Sequence, residues 1–165
     1  MENLQNKFSV IAASAIWADQ EVNDKEISII ERYAKKLKLD STATKLLVKD
    51  TIESFKKLKQ EAVIELIKQK LPNDLDDETK IIFLQFMIDV IFADRIITEE
   101  EIAVVLLFCT LTDIPKETAV LKIIMATQDN KKISVKQSRE LTAIETKLRQ
   151  STNPIIWFKY MRVFY

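Results

Sequence analysis

No glycine and no histidine occur in this chain of 165 residues, and cysteine occurs once. Without histidine there is no imidazole general base, no Ser-His-Asp or Cys-His dyad and no imidazole metal ligand. Without glycine the phosphate-cradling loops of P-loop and Rossmann sites are excluded, because the backbone must approach phosphate there with no Cβ in the way. The single cysteine, Cys109, forms no intrachain disulfide. Its setting, "VVLLFCTL", places it as a small buried residue in a reducing compartment, with no basic neighbour to activate it. Most familiar enzyme chemistries are thereby removed. A chain of this length nevertheless buries a substantial core without disulfide or metal staples, and is most simply one domain.

Net charge is also lacking: 25 basic and 25 acidic side chains cancel, which argues against a dedicated nucleic-acid binder. The charges are sorted along the chain all the same. Residues 1–30 carry 2 basic and 5 acidic groups, 31–70 carry 11 and 6, 71–113 carry 2 and 10, and 114–165 carry 10 and 4. Alternating blocks of this kind suit a solvated surface, self-association or a charged partner. No run of 18 apolar residues is present, so no membrane span is expected. The opening "MENLQNKFSVIAASAIWADQ" has an apolar stretch after Lys7, but Glu2 offsets that lysine and the stretch has an interior counterpart at 83–94, "FLQFMIDVIFAD". It reads as a domain helix rather than a signal peptide, and the chain as cytoplasmic.

Apolar residues recur at helical spacing nearly throughout, with no sustained period-two alternation, so the expected class is all-α. Helices are predicted over Leu4–Ala18, Asp24–Lys38, Thr42–Ser54 and Leu58–Lys70, the last ending before Pro72. A fifth starts near Asp76, where "DDE" suits a helix N-terminus, and ends near Ala93. A sixth covers Glu99–Leu111, a seventh begins at Pro115, and an eighth spans Val135–Gln150 with Ser134 as its cap.

One stretch is written twice. "ADQEVNDKEI" at 18–27 returns as "ADRIITEEEI" at 93–102. The same offset pairs Trp17 with Phe92, Val22 with Ile97, Ile30 with Val105, Tyr33 with Phe108, Leu39 with Ile114 and Leu46 with Leu121. Two helical hairpins of one design imply a compact pseudo-two-fold bundle of about seven to nine helices, with the first and fifth at its core. An apolar helix running into A-D-G-x-I-x-x-x-E and then a second amphipathic helix, present twice, resembles the tellurite-resistance protein TerB-like family. The matching residues are Ala18, Asp19, Val22 and Glu26, then Ala93, Asp94, Ile97 and Glu101. Gln20 and Arg95 replace the motif's glycine, at a strain cost of about 1 kcal/mol if the position has positive φ. The resemblance covers about residues 4–127. Taken with it, the expected organisation is a TerB-like helical domain at 1–130, with a C-terminal helix and aromatic tail at 131–165 packed on the same domain.

The acidic turns admit two readings. Asn23 with Glu26, and Thr98 with Glu101, have the spacing of a capping box, in which cap and glutamate satisfy each other's backbone N–H groups. Asp19 and Asp94 instead fall at helix C-termini, where the dipole disfavours them by about 0.3–1 kcal/mol and something must offset the cost. Loop N–H groups are one candidate. A divalent cation is the other: Asp19, Glu21 and Glu26 in the first turn, and Asp94 and Glu101 in the second, offer an oxygen-only set suited to calcium, magnesium or manganese and unsuited to zinc. Ile96 stands where the first turn has Glu21, so the first turn is the richer site. The loop is not an EF-hand, having no glycine at its sixth position and Ile30 at its twelfth. The resemblance implies metal binding and a metal or stress response, including tellurite resistance by association. It also implies no enzyme, and nothing in the spacing of these carboxylates separates a hydrolase pair from capping.

The tail "STNPIIWFKYMRVFY" holds five of the chain's thirteen aromatic residues. Trp157, Met161 and Phe164 share a helical face, beside Phe158 and Tyr160, with Lys159 and Arg162 on the rim. That face either closes the domain's own core or docks a protein partner or a second copy. The leading functional expectation is a non-enzymatic binding or scaffold module that uses a divalent cation. The alternative is an assembly protein whose turns are helix caps and whose aromatic tail mediates association.

Overall fold

The computed structural model describes residues 2–16, 23–70, 75–93, 96–129, 134–135 and 139–150. Eight helices lie among them: α1 (Glu2–Ile16), α2 (Asp24–Lys36), α3 (Ser41–Lys56), α4 (Gln60–Lys70), α5 (Asp77–Ala93), α6 (Glu99–Leu111), α7 (Lys116–Asp129) and α8 (Arg139–Gln150). Two short strands, β1 (Ile96–Ile97) and β2 (Ser134–Val135), pair in parallel. The chain divides into two compact units, residues 1–93 and 94–165. None of the helices among the described residues is long and apolar enough to cross a membrane.

In the first unit α1 packs against α3, α4 and α5, and α2 packs against α3 and α5. Every residue of α1 from Lys7 to Ile16 is buried. A helix enclosed on all sides needs small residues where neighbours come close, and Ala12, Ala13, Ser14 and Ala15 supply them. The serine hydroxyls cost little in this setting because Ser9 donates to Gln5 O at 2.8 Å and Ser14 to Ile11 O at 2.9 Å, within the helix itself. Helix α3 offers the complementary stripe, Thr44, Val48, Ile52 and Phe55, at the three- and four-residue spacing of one helical face. The expected packing of the first helix on the fifth is present as an aromatic cluster. Phe8 meets Phe86 edge-on at 4.7 Å and Phe83 at 5.9 Å, and Tyr33 of α2 meets Phe86 edge-on at 5.3 Å.

Tyr33 also ties α2 to α5 through its polar end. Its hydroxyl donates to Asp89 Oδ2 at 2.5 Å, and Arg32 donates to the same oxygen at 2.9 Å. Burial, followed by the bond to Asp89, holds the phenol protonated well above the ordinary tyrosine range. In the second unit α7 packs against α6 and α8. The exposed ion pair Lys116–Glu140, at 2.6 Å, links α7 to α8.

Helix ends follow the sequence reading closely in places and depart from it where the contact is non-local. The sixth helix has the predicted bounds, and Asp76 caps the fifth by accepting from Thr79 N at 2.7 Å. The eighth starts at Arg139, not Val135, and Ser134 is not its cap. Ser134 and Val135 instead pair with Ile96 and Ile97, and the β-branched Val135 and Ile97 suit an extended ladder better than a first helical turn. The two strands are likewise a feature that the helical periodicity did not announce.

The second helix ends at Lys36, two residues early, because Lys38 is left-handed (φ 61°). Leu39 N donates to Ala34 O at 2.8 Å and Lys38 N to Lys35 O at 3.0 Å, which is a Schellman closure. At the 75-residue offset Asp113 is left-handed too (φ 57°), and Ile114 N donates to Cys109 O at 2.9 Å. Glycine normally occupies this position, and this chain has none. The internal repeat thus extends to backbone conformation at the ends of α2 and α6.

Replacing either left-handed residue with glycine, Lys38→Gly or Asp113→Gly, is expected to raise stability by about 0.5–1 kcal/mol, after the unfolded chain's added freedom is subtracted. Thermal melts should show a rise of about 1–4 °C for each; a fall would contradict the conformation at that site. Tyr33→Phe removes a charge-assisted bond and is expected to cost about 1–2 kcal/mol in denaturant unfolding, with a smaller loss once Asp89 is already Asn. Cys109 is buried, and its burial pushes the thiol up to about 12. At pH 8 the native thiol should therefore react with a disulfide reagent only as fast as the protein opens, whereas the unfolded chain reacts at once.

Candidate functional site

The two glutamates of the repeated turn occupy one structural position. Asn23 and Thr98 are N-caps with near-identical extended backbones, φ −88°, ψ 170° and φ −88°, ψ 161°. Each accepts from the backbone N–H three residues on: Glu26 N to Asn23 Oδ1 at 2.9 Å, and Glu101 N to Thr98 Oγ1 at 3.2 Å. Glu26 and Glu101 are thus the third residues of α2 and α6. The helix dipole there favours a negative charge, by about 0.3–1 kcal/mol on a surface and more where water is partly excluded.

Both are buried far beyond what surface capping requires, with Glu26 1% exposed and Glu101 3% exposed. Taking a carboxylate out of water costs several kcal/mol unless donors or a cation replace its hydration. At Glu101 the replacement is visible. Its Oε1 accepts from Thr98 N at 3.1 Å and from Thr98 Oγ1 at 2.9 Å, completing a reciprocal capping box. The capping half of the sequence reading is therefore present in full at the second turn, and its forward bond is present at the first.

The other sequence-predicted cation ligands, Asp19, Glu21 and Asp94, lie outside the described residues, as do Gln20 and Arg95 at the motif's glycine position. The tail residues Trp157, Phe158, Tyr160, Met161 and Phe164 also lie outside them. Among the described residues no group of three or more histidine, cysteine, aspartate or glutamate side chains is gathered in one place. What the described residues offer at the two turns is one buried carboxylate each, Glu26 and Glu101. That chemistry fits a hard divalent ion rather than zinc.

Two polar features escaped the sequence reading. The Tyr33–Asp89–Arg32 cluster joins residues 56 and 57 positions apart, so no local motif signals it. Lys7, in sequence merely the basic residue ahead of an apolar run, is buried against a cavity formed by α1, α3 and α4. A charge at the head of a helix that is otherwise enclosed was the available signal.

No curated protein and no solved structure matches the chain. The family model described as tellurite resistance protein TerB does match, over residues 7–123. The matched span runs from within α1 into α7 and takes in both caps, both buried glutamates and both left-handed helix ends, leaving α8 beyond it. With more than half its length matched in this way, the chain belongs to the tellurite resistance protein TerB family.

Proposed function

We propose that this TerB-family chain is a non-enzymatic binding or scaffold module of a tellurite- or metal-stress response, and that its first acidic turn holds one divalent cation. The observation that carries the reading is the depth of Glu26, a carboxylate 1% exposed at the start of α2. Glu101 sits equally deep with a threonine cap whose N–H and hydroxyl both serve its Oε1. Asparagine caps the first turn instead, and Asp19 and Glu21 stand nearby in sequence where the second turn has Asp94 and Ile96.

Asp19, Glu21 and Glu26 would hold the ion, which calcium, magnesium or manganese suits by ligand chemistry. When bound, the ion would bring positive charge to the buried Glu26 carboxylate. The same charge would fix the entry of α2, and with it the surface offered to a protein partner. The second turn, served by its capping box, is the structural counterpart. The lack of histidine and glycine supports a module that binds rather than one that catalyses.

Chelator-stripped protein should melt higher with one of calcium, magnesium or manganese, and not with zinc. At 100 times the dissociation constant the gain is about 2.7 kcal/mol, or about 5–10 °C. Asp19→Asn and Glu26→Gln should abolish that response. Thr98→Ala should lower stability by about 1 kcal/mol while leaving the ion response intact. If no ion moves the wild type while Asp19→Asn is merely less stable, the first turn is a helix connection and the proposal fails.

A further inference from the structure

Helices α2 and α6 are one 13-residue element written twice, yet their solvent faces differ in charge. At the repeat offset their bounds coincide, the caps Asn23 and Thr98 share one backbone conformation, and Lys38 and Asp113 share the left-handed closure. Equivalent positions therefore point the same way in the frame of each helix. The first residues, Asp24 and Glu99, match in sign, but Lys25 stands where α6 has Glu100, and Lys38 stands where α6 is followed by Asp113. Lys25, Lys38, Glu100 and Asp113 are all exposed, and among the described residues none of them is in an ion pair.

Helix electrostatics account for only half of this reversal. The macrodipole favours an acid at the start of a helix and a base at its end, which suits Glu100 and Lys38. Lys25, in a first turn, and Asp113, at a closure, lie against it. Between the ends the contrast continues: α2 exposes Arg32, Lys35 and Lys36, whereas α6 exposes Ala103 and Thr110 and contains no basic residue. Arg32 is already held by Asp89 at 2.9 Å, and Lys36 lies over the Tyr33 ring at 5.5 Å.

Laid antiparallel, the two faces are complementary. Lys25 and Lys38 are 13 residues apart (38 − 25), as are Glu100 and Asp113 (113 − 100), a span of roughly 20 Å in each helix. Lys25 then meets Asp113, and Lys38 meets Glu100, so the two charges that the dipole opposes offset each other. The small Ala103 and Thr110 admit a close approach, and the aliphatic stems of Lys35 and Lys36 cover the neutral surface between the acidic ends. We infer that α2 of one chain docks antiparallel on α6 of a second copy. Because the two faces differ, the contact is head-to-tail, and assembly runs past a dimer unless its rotation closes a ring. It needs no cation at the acidic turns.

Sedimentation velocity of the full chain, with chelator present, tests the contact. Average mass should rise with protein concentration at low salt and return to that of one chain at high salt, where exposed charges are screened. Two double variants reverse one face each, using residue types that the other repeat already carries: Lys25→Glu with Lys38→Asp, and Glu100→Lys with Asp113→Lys. Each alone should weaken self-association about tenfold or more, because attractive pairs become like-charge ones. Mixed in equal amounts the two should assemble again, since one is acidic at all four positions and the other basic. Thermal melts check that both fold, and Lys25→Glu alone, which suits the helix start, decides if a double variant does not. The inference is overturned if the wild type stays monomeric at low salt, if the reversed variants associate as it does, or if the mixture stays apart.

Discussion

A helix with no exposed face constrains the first unit. From Lys7 to Ile16 every residue of α1 is buried, so the helix must be covered on all sides, and α3, α4 and α5 cover it. Large residues face the aromatic cluster, where Phe8 meets Phe83 and Phe86. Small ones, Ala12 to Ala15, admit backbones at close range. The polar residues on α1 are then forced into specific arrangements: serines bond back to the helix, Gln5 reaches Thr44 at 3.2 Å, and Lys7 borders the cavity. Such a helix has little freedom to slide against its neighbours.

Closing helices without glycine is the second constraint, and the chain meets it the same way twice. Lys38 and Asp113 take up the left-handed conformation at about 1–2 kcal/mol each, compensated by Schellman bonds into Ala34 and Cys109 and by the following apolar residue, Leu39 or Ile114. At the other ends of the same two helices, Asn23 and Thr98 cap and Glu26 and Glu101 lie buried. The repeat is therefore a repeat of end chemistry as much as of apolar spacing.

How far this was legible in the sequence depended on whether the cause was local. The bounds of α6, the start of α5 near Asp76 and the caps at Asn23 and Thr98 were readable, because a cap and its bonded N–H lie within three residues. The left-handed ends were hidden, since the usual marker is a glycine and lysine or aspartate gives no such sign. The start of α8 was misplaced because Val135 pairs with Ile97, a partner far away along the chain. Of the candidate site, the roles of Glu26 and Glu101 as helix-start residues followed from Asn-x-x-Glu and Thr-x-x-Glu spacing. Their depth did not, because burial is set by elements that arrive from elsewhere, and the cavity beside Lys7 needs three helices to exist.

The two turns thus share a frame and differ in the sequence beside it. Glu101 completes a reciprocal capping box with Thr98, and the first stretch carries Glu21 at the position where the second has Ile96. A cation-dependent module built on this frame should be asymmetric, with one ion for two near-identical turns. Native mass spectrometry of the full chain, desolvated gently from solutions containing calcium, magnesium or manganese, counts bound ions directly. One ion per chain, lost in Asp19→Asn and kept in Asp94→Asn, is the predicted result; no ion, or two bound equally, would contradict it.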